Sequence, residues 1–308
     1  MNISPEKATD TTPVKSMATG AADGIVHSSP SGLGGLLSAF APITLDEMDS
    51  IRLMNRIDSK YLTDTLELRA LLKDAAAHGY RVFEQDGERL HGYDSIYFDT
   101  SELRMFTEHR RGKAVRQKVR TRMYRQSGLC FLEVKRKNNR GRTKKKRIPV
   151  PAALFEDFRG NEEVCSWLAG HSDYDAKSIS PSLETSFRRI TLVNKGLSER
   201  LTIDLSVSFR NFRTGAIADI GEAVIIELKQ DGWLCSEMQD ILLRHRVKPM
   251  RVSKYCIGIV STDSGVHPGR FRQKFRTIEK INKNFYLRCY RPVILQPLWT
   301  RANLFRHS

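Results

Sequence analysis

The sequence predicts an α+β fold: an antiparallel β-barrel of about eight strands with flanking helices. Three observations carry that prediction. From Tyr80 onward, apolar residues recur at every second position in run after run. The runs follow one another through short turn-like segments, as in a meander, rather than through repeated helical crossovers. Several of them also carry a face built of charged residues, the pattern of a sheet with one face against a core and the other against something polar. With 308 residues, 40% hydrophobic, 14 Phe and 9 Tyr, the chain can bury one large core or two small ones.

Residues 1–40 are rich in Ser, Thr, Gly, Ala and Pro and carry a net charge of −1, a composition that predicts a disordered leader. They lack the continuous apolar stretch of a secretory signal. The folded domain is expected over 41–260. Thr44-Leu-Asp-Glu47 spells a capping box for a short helix, and 55–62 reads as a strand. Asp64 to Glu67 gives an N-cap, Leu68, Leu71, Leu72 and Ala75 follow at helical spacing, and Gly79 sits where the C-terminal cap belongs. Strands are then expected at 91–98, 104–110, 114–125, 129–137, 142–150, 184–193, 200–206, 207–213 and 222–230, with helices at 152–169, 234–245 and 254–260. A tail over 261–308 holds ten Lys and Arg against Asp263 and Glu279. Solvated extension is one reading of it; a segment docking an acidic partner, an anionic membrane surface or a separate membrane protein is the other. Trp299, Leu304 and Phe305 would make contacts there.

No run approaches the roughly 18–20 apolar residues of a membrane-spanning helix. The five cysteines are scattered, odd in number and free of any Cys-x-x-Cys pair, so reduced thiols in a cytoplasmic protein are expected rather than a disulfide frame or zinc site.

The formal charge of +16 is concentrated on strand faces as well as in the tail. Arg116, Lys118, Arg120 and Arg122 alternate with mostly neutral residues; Glu133, Lys135 and Lys137 share a face, as do Glu227 and Lys229, Arg200 and Asp204, and Arg56, Asp58 and Lys60. Glu227 lies within the apolar run Val224–Leu228, where an ionised carboxylate must be paired or bind a cation. In a closed barrel these faces line one polar interior; in an open sheet they make one basic surface. Closely spaced Lys and Arg neutralise a dense polyanion, and a carboxylate among them serves as a Mg²⁺ or Mn²⁺ ligand bridging phosphate oxygens. The expected ligand is a metal-bound polyphosphate or nucleoside triphosphate.

The ordered motifs "RIDSKYL", "YFDTSELRMFTEHRRGK", "RQKVRTRMY", "FLEVKRK", "RTKKKRIPV", "SFRRITL", "ERLTIDLSVSF", "AVIIELK" and "RVSKYCIG" make residues 51–260 resemble the polyphosphate polymerase domain of vacuolar transporter chaperone (VTC) proteins, within the triphosphate tunnel metalloenzyme (CYTH-like) superfamily. The resemblance implies transfer of the γ-phosphoryl group of ATP onto a growing inorganic polyphosphate chain, assisted by Mn²⁺ or Mg²⁺. It implies that Lys60, Arg120, Arg122, Lys135, Arg189 and Lys254 grip phosphates, with Ser253 and Arg200 beside them, and that Glu227 is the metal ligand. Lys118 and Lys229 join by their places on the same faces, and Lys146 stands for a lysine expected from the 144–147 run, whose register four consecutive cations leave open. Two departures stand out: Arg56 replaces the first acid of a Glu-x-Glu-x-Lys motif, which puts a second metal site in doubt, and Phe187 stands where the family has Tyr. His109 fits the family pattern and is read as structural, and no cysteine has an aligned base. The rival functions are an inorganic or nucleoside triphosphatase of the same fold and a non-catalytic binder of polyphosphate or nucleic acid. The nine cations between Lys135 and Arg147 suggest nucleic acid, but their split over two strands and a turn at 138–141 argues against it as the main partner.

Overall fold

A computed structural model of the chain describes residues 32–49, 56–232 and 235–289, the side chains of Asp49 and Arg56 excepted. The elements run α1 Gly34–Leu37, β1 Ala41–Ile43, α2 Leu45–Asp49, β2 Arg56–Asp64, α3 Thr65–Ala77, β3 Arg81–Phe83, β4 His91–Asp99, α4 Arg104–Arg111, β5 Arg116–Tyr124, β6 Cys130–Lys137, β7 Thr143–Val150, α5 Glu162–Ala169, β8 Ser180–Val193, β9 Glu199–Asn211, β10 Ile217–Asp219, β11 Ala223–Asp231, α6 Glu237–Arg244, α7 Lys254–Thr262 and α8 Arg272–Cys289.

All strands join one sheet whose main path is β2-β11-β9-β8-β4-β5-β6-β7, antiparallel throughout. The expected barrel is not closed by hydrogen bonds: β2 and β7 end the path and do not pair. The sheet nevertheless curls on itself. The segment before α7 spans its concave side, with the Met250 amide donating to the Lys60 carbonyl on β2 at 2.6 Å and the Lys118 ammonium of β5 donating to Ser253 Oγ at 2.8 Å.

Three apolar layers hold this curl. Outside, α3 and α6 cover β8, β9 and β11 through Leu68, Leu72, Ile241, Leu192, Ile203 and Ile226. On the other flank α5 packs Val164 and Leu168 over Val119, Leu132 and Val134. Inside, α7 fills one end of the concavity with Tyr255, Cys256, Ile257 and Ile259 against Tyr97, Phe187 and Ile225. Gly258 permits that approach, because a Cβ there would overlap Leu183 and Phe209.

The caps read from sequence are formed: the Thr44 and Glu47 amides exchange bonds with each other's side chains, and the Glu67 amide donates to Asp64. Other expectations need correction. Residues 104–110 form α4, not a strand; Asp99 accepts the Met105 and Phe106 amides and so caps a helix at a distance. The helix expected over 152–169 is a 3₁₀ turn at Ala152–Leu154 followed, after a gap, by α5. The pair 200–206 and 207–213 is one strand, β9, with Ser206 at φ 50° and a register shift against β8 between Ser186 and Arg188. That bulge moves the alternation by one residue, which is why the sequence reads as two strands.

Both ends of the expected domain extend further into the fold. Leu33, Leu37 and Phe40 are buried in the core under α3, and Phe271, Ile278 and Phe285 are buried on the other side, so α8 packs onto β2 and β11. Each such side chain contributes about 1.5–3 kcal/mol. Residues 1–31 and 290–308, with Trp299, Leu304 and Phe305, lie outside the described residues.

Candidate phosphate-binding site

The site is the polar part of the concave face, and strand register assembles it. Lys60 on β2 stands opposite Glu227 on β11, which stands opposite Thr202 on β9; Asp58, Lys229 and Arg200 form the next row. Arg189 on β8 faces Asp204 on β9. On the other wall Ser95 and Tyr97 of β4 face Arg122 and Arg120 of β5, Arg120 faces Glu133 of β6, and Lys118 faces Lys135. Lys254 enters from the first turn of α7, whose N-cap is Ser253.

The register also settles the 144–147 run. Lys145 stands opposite Lys135 and its ammonium lies 3.1 Å from Glu133 Oε1, whereas Lys146 stands opposite Val134, on the outer face, and is exposed. The interior lysine is therefore Lys145, and Lys146 does not join the site. Lys60, Lys118, Arg120, Arg122, Lys135, Arg189, Arg200, Glu227, Lys229, Ser253 and Lys254 all lie on the interior side or at its α7 wall. The Arg56 side chain, which bears on the second metal site, lies outside the described residues.

Two sets of cations differ in their partners. Arg120, Arg189 and Lys254 have built-in counter-ions. Arg120 gives Nε and Nη2 to Glu133 Oε2 at 2.8 and 2.6 Å and Nη1 to the Tyr97 hydroxyl at 3.1 Å. Arg189 holds Asp204 through Nε and Nη2 at 2.6 and 2.9 Å, and Lys254 donates to the same carboxylate. Glu133 is 0% exposed; burial pushes its carboxyl up, but Arg120, Arg122 and Lys145 hold it far below the usual range. Asp204 behaves alike, burial being outweighed by Arg189 and Lys254. These two internal carboxylates were visible as members of charged strand faces, but their role as fixed counter-ions follows only from register.

Arg122, Lys118 and Lys135 make no ion pair among the described residues. Arg122 donates to Ser95 Oγ at 3.1 Å. Burial lowers the Arg122 and Lys118 cations, and Arg120 followed by burial lowers Lys135 strongly. Positive groups are thus held against one another in a partly dry cavity, where an anion of several charges relieves them all. The Phe187 ring lies under Lys254 at 4.4 Å, Arg189 at 5.1 Å and Arg122 at 5.8 Å and supports all three.

Glu227 lies between Lys60 at 3.5 Å and Lys229 at 4.0 Å, with its side chain 22% exposed. Burial raises its carboxyl, and Lys60, Lys229, Lys135 and Arg189 outweigh that and keep it ionised. Lys229 is brought down to about 8 by burial, with Glu227 opposing and Arg200 reinforcing the fall. No group of three or more His, Cys, Asp or Glu is placed to hold a metal among the described residues. A single ionised carboxylate still fits a hard divalent cation whose other ligands are phosphate oxygens and water, the usual manner for Mg²⁺.

His109, on α4, is not part of this set. Burial, then Lys118, Arg116 and Lys60, hold its ring neutral, and it packs 5.9 Å from Phe271. The five thiols are free and widely separated in sequence, Cys130 and Cys256 buried.

The pattern of the VTC domain matches residues 55–262. The chain belongs to the VTC domain family. Within the match lie every interior cation and carboxylate described above, whereas α8 lies outside it. Among solved structures, this VTC domain chain is similar to a protein of Bacillus halodurans described as a candidate adenylate cyclase, at 15% identity over 65% of this chain and 96% of that one, with a TM-score of 0.43. It is also similar to an adenylyl-cyclase-like protein of Hippeastrum with a dominant triphosphatase activity, at 15% identity over 70% and 99%, with a TM-score of 0.40. The RNA triphosphatase Pct1 of S. pombe is similar at 8% identity over 86% and 93%, with a TM-score of 0.26. No curated protein matches the sequence. No described helix is long and apolar enough to cross a membrane.

Proposed function

We propose that this VTC domain chain is a metal-assisted phosphotransferase that moves the γ-phosphoryl group of ATP onto inorganic polyphosphate. The observation that carries this reading is one ionised carboxylate, Glu227, set among convergent cations from β2, β5, β6, β8, β11 and α7 in a half-dry concavity. Arg122, Lys118 and Lys135 bind phosphate oxygens. Arg120, Arg189 and Lys254, pinned by Glu133 and Asp204, supply positive potential that does not move when ligand arrives.

A terminal oxygen of the polyphosphate chain attacks the γ-phosphorus in line; the new P–O bond forms as the bond to the β–γ bridging oxygen breaks, and ADP departs with that electron pair. The attacking oxygen is already anionic, so no general base is required, in keeping with a half-buried His109 whose ring is held neutral. Glu227 would hold the divalent ion together with phosphate oxygens, and the ion would neutralise charge developing on the leaving diphosphate.

Hydrolysis is the second reading. The flanks of the sheet at β2 and β7 are unpaired with one another, and the Lys60 and Lys145 side chains are 35% and 41% exposed, so water can reach the same phosphates. Incubation of the purified protein with ATP and Mn²⁺ or Mg²⁺, followed by gel resolution of phosphate chains and assay of ADP and free phosphate, tests both. A ladder of chains with matching ADP supports the polymerase; free phosphate alone replaces it with a triphosphatase; neither product leaves a binding module.

A further inference from the structure

The row of cations on β5 does not stop inside the concavity. Arg116, at its start, lies about 20 Å from Arg122 along the strand, and it leads to a second group of basic residues that none of the interior carboxylates serves. That group joins Arg116 of β5, Lys137 of β6, Arg251 of the segment before α7, Arg270 of the 3₁₀ turn Gly269–Phe271 and Lys274 of α8.

Packing holds it together. Phe271 is buried beside His109 and anchors the start of α8 against the end of α4, and the Arg110 guanidinium donates to the His267 carbonyl at 2.8 Å. The Arg270 guanidinium lies against Gly112, where an added Cβ would overlap it and where φ is +77°. Arg116 donates to the Lys113 carbonyl at 2.5 Å, and the Lys274 ammonium sits 4.5 Å over the Phe271 ring. None of the five makes an ion pair with a carboxylate among the described residues. Arg116, Lys137 and Lys274 are half-buried, and Arg251 and Arg270 form an exposed rim.

Mutual repulsion is evident in each half-buried member. Burial, then Arg270 and Arg251, lower Arg116; burial, then Arg116 and Arg251, lower Lys137; burial, then Arg270 and Arg251, lower Lys274. Cys256 is the one opposing group acting on Arg116 and Lys274, and burial raises that thiol, so it stays protonated near neutral pH and brings no negative charge. A solvated cluster would be free to splay apart. Here buried Phe271 and the Arg270–Gly112 contact fix the backbone that carries it.

We propose that Arg116, Lys137, Arg251, Arg270 and Lys274 form a second anion subsite, continuous with the first through Lys118, that binds the extended part of a linear polyphosphate and so makes the protein prefer long chains to triphosphate. The chemistry is that of an oligoanion with charge repeated along its length: the interior takes the reacting end and the second subsite takes phosphates further along. Two of its members, Arg270 and Lys274, lie beyond the residues the VTC domain pattern matches. The proposal rests on the polyphosphate reading of the interior.

Calorimetric binding of inorganic tripolyphosphate and of long-chain inorganic polyphosphate, without turnover, tests it on the full chain. In the double variant Arg270→Ala/Lys274→Ala the loss of affinity for long polyphosphate should exceed the loss for tripolyphosphate by roughly tenfold or more. Lys137→Ala, on β6 and independent of α8, should show the same selective loss if the double variant is poorly folded. Equal losses for both ligands in Lys137→Ala, or no loss for either, overturn the subsite, as does a single-stranded nucleic acid that outcompetes long polyphosphate at equal phosphate concentration. A protein that shows the selective loss but makes no polyphosphate from ATP supports the subsite and overturns the polymerase reading.

Discussion

The two ends of the β5 cation row face different company. At the Arg120 end, cations are sealed in with Glu133 and Asp204, and removing either member of a pair strands a charge. At the Arg116 end, cations meet only other cations, and the rim is open to water. The difference follows from dielectric: a buried pair such as Arg120 and Glu133 offsets its charges before any ligand arrives, whereas a half-exposed cation can be screened by water and salt until an anion displaces them; Arg122, buried without an ion pair among the described residues, depends on the ligand for that offset. Substitutions within the ion pairs therefore read on folding and chemistry together; those at Arg122 and at the second end read on binding.

The largest effect is expected at Glu227, the carboxylate proposed to hold the divalent ion. Glu227→Gln should lower metal-dependent turnover of ATP by about 10³-fold or more, the several kcal/mol a divalent ion contributes. Metal-free tripolyphosphate binding should persist or tighten, since Lys60 and Lys229 lose their neighbour. Unchanged turnover would remove Glu227 from the site. Next comes the paired end itself. Asp204→Asn leaves Arg189 and Lys254 without their shared carboxylate and should cost about 3–5 kcal/mol of stability. Saturating tripolyphosphate should restore much of the lost melting temperature in thermal denaturation, because it supplies the missing negative charge; no such rescue would place the ligand elsewhere.

The contrast between adjacent arginines is sharper still. Arg120→Ala should mainly destabilise, by exposing Glu133 to a dry site without its closest cation. Arg122→Ala strands no carboxylate and should mainly weaken tripolyphosphate affinity, by about 1.5–3 kcal/mol in calorimetry. The smallest signal is spectroscopic. Burial raises the Tyr97 phenol, but Arg120, Lys118, Arg122 and Lys254 outweigh it and bring it down to about 8. Phenolate absorbance absent from Tyr97→Phe should therefore appear as pH rises through about 8. Tripolyphosphate should bleach it, because an anion beside the phenol favours the protonated form. Over the same range Lys229 loses its proton, so affinity should fall with rising pH.

Much of this site could be read in the sequence because a strand has a period of two. Lys60, Arg120, Arg122, Lys135, Glu227 and Lys229 fall on one face once each strand is recognised. The run at 144–147 defeats the same argument, since four cations in succession carry no period, and only the pairing of β7 with β6 selects Lys145. Residues 104–110 mislead for another reason: Met105 and Phe106 are both buried, which alternation forbids, and the cap that starts their helix comes from Asp99 on the preceding strand. The apolar spacing of Leu33, Leu37 and Phe40, and of Phe271, Ile278 and Phe285, was present in segments whose average composition masked it. Arg120 with Glu133 and Arg189 with Asp204 pair across strands that follow one another in the chain, but the pairing depends on cross-strand register, which the pattern within a single strand does not fix; Lys254 reaches Asp204 from farther off, on α7.

The pairing of β2 with β11 has a consequence for how the protein is made. A ribosome delivers β2 early and its partner late, after β4–β7 have had the chance to form as local hairpins. Through that interval the edge of β2 has no mate. The β5 and β6 cations are likewise on hand before Asp204 and Glu227 are synthesised, so through that interval Glu133 alone of the three carboxylates Glu133, Asp204 and Glu227 is available to them.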